Sequence, residues 1–359
     1  MLITNPAKER IIDSLSPDCL NVLLVAEECN LSINDLIEIA NEKGLAIAGG
    51  LFPAVLYDTA YYKDAVIIRQ LPNALGTALA QDISTHTEFH LPDKPEGARS
   101  AFVFVDGLSS GIPSVLNGIY QKYWDTLTFT GGGSGSLTLE QKPCIFTNEG
   151  FYQDAALLIF IQNSISPGVK HGWKKIAGPF QVNASQGNVL AELNWKPAFE
   201  IYRQEVQKHS TESFSGDNFF NIAKGFPFGV YREGMEDVVR DPIMTKKDGS
   251  LVCVGEVPRY SMVNLLMGEP TVLIESARQA AAEACADVEP VDIFVTDCIS
   301  RVLFLEDGFK GEIGAIRKVI KDKNPELNLK GILSLGEISS FGDGYLEFFN
   351  KTVVVSAFH

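Results

Sequence analysis

One pattern constrains the fold more than any other, and it returns three times. An apolar run ending on or beside an acid is followed by a helix-like segment, then a glycine-bearing apolar run, then another apolar run. The leading runs are 21–27 (NVLLVAE), 101–106 (AFVFVD) and 292–297 (DIFVTD). The helix-like segments are 32–43, 113–123 and 311–321. The glycine-bearing runs are 46–50 (AIAGG), 128–133 (TFTGGG) and 331–336 (GILSLG), and the closing runs are 64–71, 154–161 and 352–358. Apolar, β-branched runs without alternation suit strands covered on both faces. A helix between two strands implies a parallel pair. Gly342 and Gly344 around Asp343 read as a hairpin, which implies antiparallel pairs too. The expected fold is therefore α/β with α+β character. It has mixed parallel and antiparallel sheets and an approximate internal duplication of strand–helix–strand–Gly turn–strand modules. The uneven spacing of the copies excludes a solenoid.

At 359 residues the chain exceeds what one core usually holds. Two domains are expected: a helical segment over 1–20, then domains over 21–195 and 196–359. Ser32 and Asp35 form a capping pair for the first helix, and Gly44 stops it. Residues 72–82 read as a helix, 86–99 as a loop and 164–179 as an exit loop. Strands are expected at 190–195, 241–244 and 250–254, and a long Ala-rich helix over 271–287.

The net charge of −15, with no basic cluster, argues against nucleic acid or an anionic membrane as partner. No apolar run is long enough to span a bilayer. The first fifteen residues lack a signal-peptide core, so a cytoplasmic location is expected. The six cysteines, at 19, 29, 144, 253, 285 and 298, include no CxxC pair, so neither a disulfide framework nor a zinc cluster is indicated.

Several residues invite a chemical reading. Glu27, Asp106 and Asp297 close strands, and Glu337 lies at a Gly turn. Ligands of open α/β sheets sit beyond the carboxyl ends of strands. With Arg69 and Arg301 as bidentate carboxylate donors, this set suits an amino acid; alternatively the acids cap helices or meet water. The Gly131–Gly135 run has neither P-loop nor dinucleotide spacing, and reads as a tight turn approaching a ligand or another backbone. Residues 107–111 (GLSSG) match GxSxG between a strand and a helix. A serine hydrolase with Ser109 as nucleophile is thus an alternative, although His171 and His209 fall in loops and His359 is terminal; otherwise Ser109 or Ser110 opens the helix. His86 and His90 have a metal spacing only if helical, and Pro92 argues for a loop; no metal is expected. Cys298 beside Arg301 is either an activated thiol or a buried small residue.

The chain also resembles the FIST family (F-box and intracellular signal transduction), as an N-terminal FIST domain followed by a C-terminal one. The fragments that carry the resemblance are Gly131–Gly135, Gly172-Trp173, Pro197-Ala198 with Tyr202, and 239–242 (VRDP). Further on they are Cys298 and Arg301 in DCISR, Glu312, Gly336-Glu337-Ile338, and Asn350 with Thr352. Two positions depart from the family pattern: Ser339-Ser340 stand where Gly-Pro is usual, and Phe349 where His is frequent. The resemblance implies a sensory, small-ligand-binding role with amino acids as proposed ligands. The partner would be encoded separately, such as a histidine kinase or a diguanylate cyclase, because no output module occurs in the sequence. It also raises an alternative, a haem-binding nitric-oxide sensor with His171 as axial ligand; apart from that, no cofactor is expected. The expected ligand site is a cleft between the halves, lined by Gly132, Gly133, Asp106, Cys298, Arg301, Gly336, Glu337 and Asn350, with Arg301 and Glu337 able to pair when it is empty.

Overall fold

The computed structural model describes residues 1–215, 217–341 and 345–359. The expected mixed α/β architecture is present, and the threefold pattern is its organising feature. In the first unit the leading strand Leu20–Ala26 is followed by the helix Ile33–Glu42 and the second strand Ile47–Phe52. A two-stranded arm, Ala54–Tyr57 with Ala60–Tyr62, precedes the return strand Ala65–Leu71. The second unit repeats this order with Ser100–Asp106, helix Ile112–Tyr123, Thr128–Ser134, the arm Ile145–Thr147 with Gly150–Tyr152, and Ala156–Ile161. The third has Asp292–Cys298, helices Ile299–Leu305 and Phe309–Lys323, Lys330–Ser334, the arm Glu337–Phe341 with Tyr345–Phe349, and Val353–Phe358. In each unit the leading strand is parallel to the second strand and antiparallel to the return strand.

The arms are exchanged in a cycle. The first unit's arm adds to the third unit's sheet at Lys330–Ser334, the second unit's to the first at Ile47–Phe52, and the third's to the second at Thr128–Ser134. An edge strand completes each six-stranded sheet: Leu2–Thr4, Ala74–Ala80 or Ile165–Lys170. Strands on both sides of residue 195 therefore share sheets.

Glycine makes each parallel pair possible. Gly49, Gly131 and Gly331 stand opposite Leu23, Val103 and Val295 at equivalent register positions. A Cβ at these glycines would lie 2.0, 1.9 and 2.0 Å from the facing carbonyl oxygen. The glycines expected to form turns at 49–50 and 131–133 are strand residues, and Gly49, Gly131 and Gly133 admit another backbone. The inner faces of the three sheets meet in one core containing Val22, Leu24, Phe102, Phe104 and Phe294. Full burial of each such side chain is worth about 1.5–3 kcal/mol. The outer faces are covered by the units' helices, joined on the third sheet by Pro270–Ala284.

Between Ile165–Lys170 and Pro270–Ala284 lies a closed antiparallel barrel of six strands: Lys174–Gln186, Val189–Leu193, Phe228–Val230, Val238–Thr245, Leu251–Val254 and Met262–Met267. Lys174–Gln186 closes it by pairing with both Met262–Met267 and Val189–Leu193. The helix Ala198–Val206 joins its core through Ala198, Tyr202 and Val206.

Two sequence expectations need correction. Residues 72–82 are not helical: Ala74–Ala80 is an edge strand on Ala156–Ile161, so pairing overrides the helix preference of Ala and Leu. Residues 164–179 are not an exit loop but the edge strand Ile165–Lys170 and the start of the barrel. Pro167 is tolerated there because an edge strand leaves one side unpaired. The expected hairpin tip at Gly342-Asp343-Gly344 lies outside the described residues; the strands flanking it pair antiparallel.

Candidate functional site

The family-matching residues of the third unit converge on a buried ionic centre. Asp292–Cys298 delivers Asp297 and Cys298 at its carboxyl end, and the next helix turns Arg301 inward. Arg301 has no exposed surface. Its Nε and Nη2 donate to the two carboxylate oxygens of Glu312 at 2.8 and 2.6 Å. Nη1 donates to the carbonyls of His171 (2.6 Å) and Lys351 (3.1 Å), and Nη2 to that of Leu273 (3.1 Å). Burial works against the guanidinium charge, but Glu312 and Asp297 outweigh it and hold Arg301 above its ordinary range. The Arg301–Glu337 pair expected from the sequence does not form, because Glu312, projecting from the helix Phe309–Lys323, satisfies the guanidinium fork.

Glu337 is fully buried, pairs in register with Gly132, and accepts from Ser334 Oγ at 2.8 Å and the Thr352 N–H at 3.2 Å. Burial pushes its carboxyl up to about 8. Asp297, 3.5 Å from Arg301 Nε, is also raised, by burial first and then by the neighbouring Glu312. Neither of its carboxyl oxygens has a hydrogen-bond partner, and neither does the buried Asn350 amide. Burial pushes the Cys298 thiol well up, so it is the buried small residue and not an activated thiolate.

A second buried cation, unanticipated from the sequence, adjoins this centre. Lys351 Nζ lies 3.0 Å from Asp241, donates to the Lys224 carbonyl at 2.9 Å and sits 4.8 Å from the Trp173 ring centroid. Trp173 Nε1 donates to the same Lys351 carbonyl that Arg301 uses. No spacing rule ties Arg301 to Glu312 eleven residues later on another helix, and Lys351 stands at a positive-φ position with no local signature.

The remaining candidates have other roles. Gly132, Gly133 and Gly336 are filled: a Cβ at Gly132 would lie 2.9 Å from Thr296 Cγ2, at Gly133 3.0 Å from Gly107 Cα, and at Gly336 2.1 Å from the Phe348 ring. Asp106 accepts from Leu108 N–H, Asp154 N–H and Gln141 Nε2, and Glu27 accepts from Leu137 N–H. Arg69 is remote from Arg301 in role: it pairs with Asp292 at 2.9 Å among the rings of Phe102, Phe294 and Phe358. Ser109 donates to Asp154 at 2.5 Å and accepts the Gly111 N–H at 3.0 Å, with no imidazole hydrogen-bonded to it among the described residues. It steadies the helix entry, and a nucleophile–base pair is not assembled. His86 and His90 lie in irregular backbone, and no group of three or more metal-ligating side chains occurs among the described residues.

Beside the ionic centre the surface sinks into a depression of about 440 Å³, lined by residues including His171, Trp173, Lys175, Glu236, Asp237 and Asn264. His171 Nδ1 accepts the Trp173 N–H at 2.9 Å, which places the ring proton on Nε2. Nε2 has no hydrogen-bond partner, and the nearest carboxylate, Glu236, is 3.6 Å away. Burial lowers the His171 pKa and keeps the ring neutral. Haem ligation through Nε2 would need its lone pair free while Nδ1 still faced an N–H, so His171 does not fit an axial ligand.

Three exchanged α/β units, a closed barrel and a buried ionic centre at their junction define a mixed α/β protein. Residues 38–196 match the FIST N domain and residues 198–340 the FIST C domain, and the chain belongs to the FIST family, whose domains are sensory domains of signal transduction. No curated protein matches the chain. No helix among the described residues is long and apolar enough to cross a membrane.

Proposed function

We propose that this protein is a cytoplasmic sensor that binds a small molecule, with an amino acid as the best-suited class. It passes its state to a separately encoded partner, such as a histidine kinase or a diguanylate cyclase. The observation that supports this reading is the buried ionic centre. Arg301, Glu312, Asp297, Glu337, Lys351 and Asp241 are all at most 1% exposed, and Asp297 and Asn350 remain short of hydrogen bonds. Apolar side chains would fill such a volume at less cost, and buried polar groups are often retained for specificity or switching. The centre also joins the two family segments: the Arg301 guanidinium and the Trp173 indole share the Lys351 carbonyl, and Glu337 pairs with Gly132. A ligand that shifts one segment therefore has a rigid path to the other.

Affinity capture from cell extract followed by mass spectrometry tests the signalling half of this reading. Reproducible recovery of a signalling enzyme is the expected result. Repeated capture with no such enzyme would remove the partner from the account.

A further inference from the structure

We infer that the depression lined by His171, Asp237 and Asn264 holds a small zwitterion. Its ammonium group is taken by Asp237 and Asn264 Oδ1, and its carboxylate by His171 Nε2–H and Lys175; this deepens the sensor reading above and rests on it. Two polar atoms at the depression are unmet although their residues are buried: His171, 8% exposed, keeps an Nε2–H donor, and Asn264, 3% exposed, keeps an Oδ1 acceptor. Leaving a buried polar group unpaired costs about 1–3 kcal/mol, so each is a standing demand for a partner. One is a donor and one an acceptor, and a zwitterion answers both.

The charges repeat the same complementarity. Adjacent acids, Glu236 and Asp237, and adjacent lysines, Lys174 and Lys175, line the depression. Half of them are engaged: Lys174 pairs with Glu269 at 2.9 Å, while Glu236 accepts the His171 N–H at 3.0 Å and lies 3.8 Å from Lys170. The others are not. Asp237 accepts from Asn264 Nδ2 at 2.7 Å and has no ion pair, and Lys175 has none either, among the described residues. One uncommitted anion and one uncommitted cation suit a ligand carrying both signs. A simple amine or a simple acid would leave one of them uncompensated.

The helix Pro270–Ala284 has no side-chain cap at its N-terminus, and its Val272 borders the depression. The positive end of its dipole adds to the field favouring a carboxylate there. A volume of about 440 Å³ holds an amino acid with room for its side chain. The walls also touch the ionic centre directly: the His171 carbonyl accepts from Arg301, and the Trp173 indole donates to the Lys351 carbonyl. Occupancy at His171 Nε2 thus pulls on the segment that anchors Arg301.

Titration calorimetry of the full chain decides this. The probes are the common amino acids, each beside its decarboxylated amine and its deaminated acid. The wild type is expected to bind at least one amino acid, with the matching amine and acid weaker by about tenfold or more. Asp237→Asn and Lys175→Glu are each expected to weaken that amino acid by about tenfold or more. Lys175 is exposed, so its variant keeps the fold and guards against a loss of binding through unfolding. An amino acid that binds the wild type and both variants equally overturns this site and leaves the sensor reading standing. If no amino acid binds the wild type, the zwitterion assignment and the amino-acid part of the sensor reading both fall.

Discussion

Arg301 and Glu337 show how differently two buried ionisable groups behave. The guanidinium is bidentate to Glu312 and caps three backbone carbonyls, so Arg301→Ala leaves a carboxylate uncompensated in the core. A loss of about 3–5 kcal/mol is expected in denaturant unfolding. Arg301→Lys should recover little of it, because an ammonium cannot reproduce the planar fork. Unfolding of Arg301→Ala at wild-type stability would remove the ion pair from the account. Glu337 has a folded-state pKa of about 8 against 4.5 for the ordinary carboxyl, through burial. Between those values the native state holds a proton that the unfolded chain has lost. Glu337 thus contributes stability that is fully present below about pH 4.5 and falls as pH rises through about 8, with a slope on the order of 1 kcal/mol per pH unit. His171 acts oppositely: its lowered pKa makes the unfolded chain the better proton acceptor, so its contribution is lost as pH falls below about 6.5. Melting curves of Glu337→Gln and wild type across pH 5–8 separate the two. The variant should lose less stability on raising the pH, and parallel curves would contradict the assignment.

At the scale of elements, each unit depends on a glycine where its parallel strands touch. Gly49→Ala, Gly131→Ala and Gly331→Ala each place a methyl about 2 Å from a carbonyl oxygen, which only backbone movement relieves. Each should cost about 1–3 kcal/mol or more, measured by chemical denaturation. A neutral result at any one would show that the units are not equivalent there. The units themselves were legible in the sequence because their leading and closing strands are largely uninterrupted apolar runs and the first helix carries a capping pair and a Gly stop. Ser32 accepts from the Asp35 N–H as the capping pair implied. The first two arms were not legible, unlike the third with its Gly342-Asp343-Gly344 hairpin signal: strands of three or four residues such as Ala60–Tyr62 and Ile145–Thr147 carry no period. Their partners lie far away in the chain, which no local pattern encodes. The barrel was seen only in pieces, since the strands expected at 241–244 and 250–254 are local whereas closure by Lys174–Gln186 is not. Cys298, Arg301, Glu337 and Asn350 were found as a group through the family resemblance. Their arrangement was not, because Glu312 and Lys351 approach from other elements.

For the whole molecule, cyclic exchange of arms ties the units into one cooperative body. A chain ending at residue 195 would leave Ala54–Tyr57 without Lys330–Ser334, and Thr128–Ser134 without Glu337–Phe341. It should therefore fail to fold, and the full chain should melt in one calorimetric transition with matching van't Hoff and calorimetric enthalpies. Two separated transitions would show that exchange does not enforce cooperativity. The same coupling would carry the binding proposed above across the molecule, since 171–173 link the barrel, the third unit and Arg301. Small-molecule binding is the claim on which the functional account turns, and a thermal-shift screen of the full chain against amino acids tests it most directly. A ligand confined to the native state adds about 2.7 kcal/mol at roughly a hundredfold excess over Kd. The account predicts a saturable rise in melting temperature for at least one amino acid; a melting temperature unmoved by every amino acid at saturating concentration would contradict it.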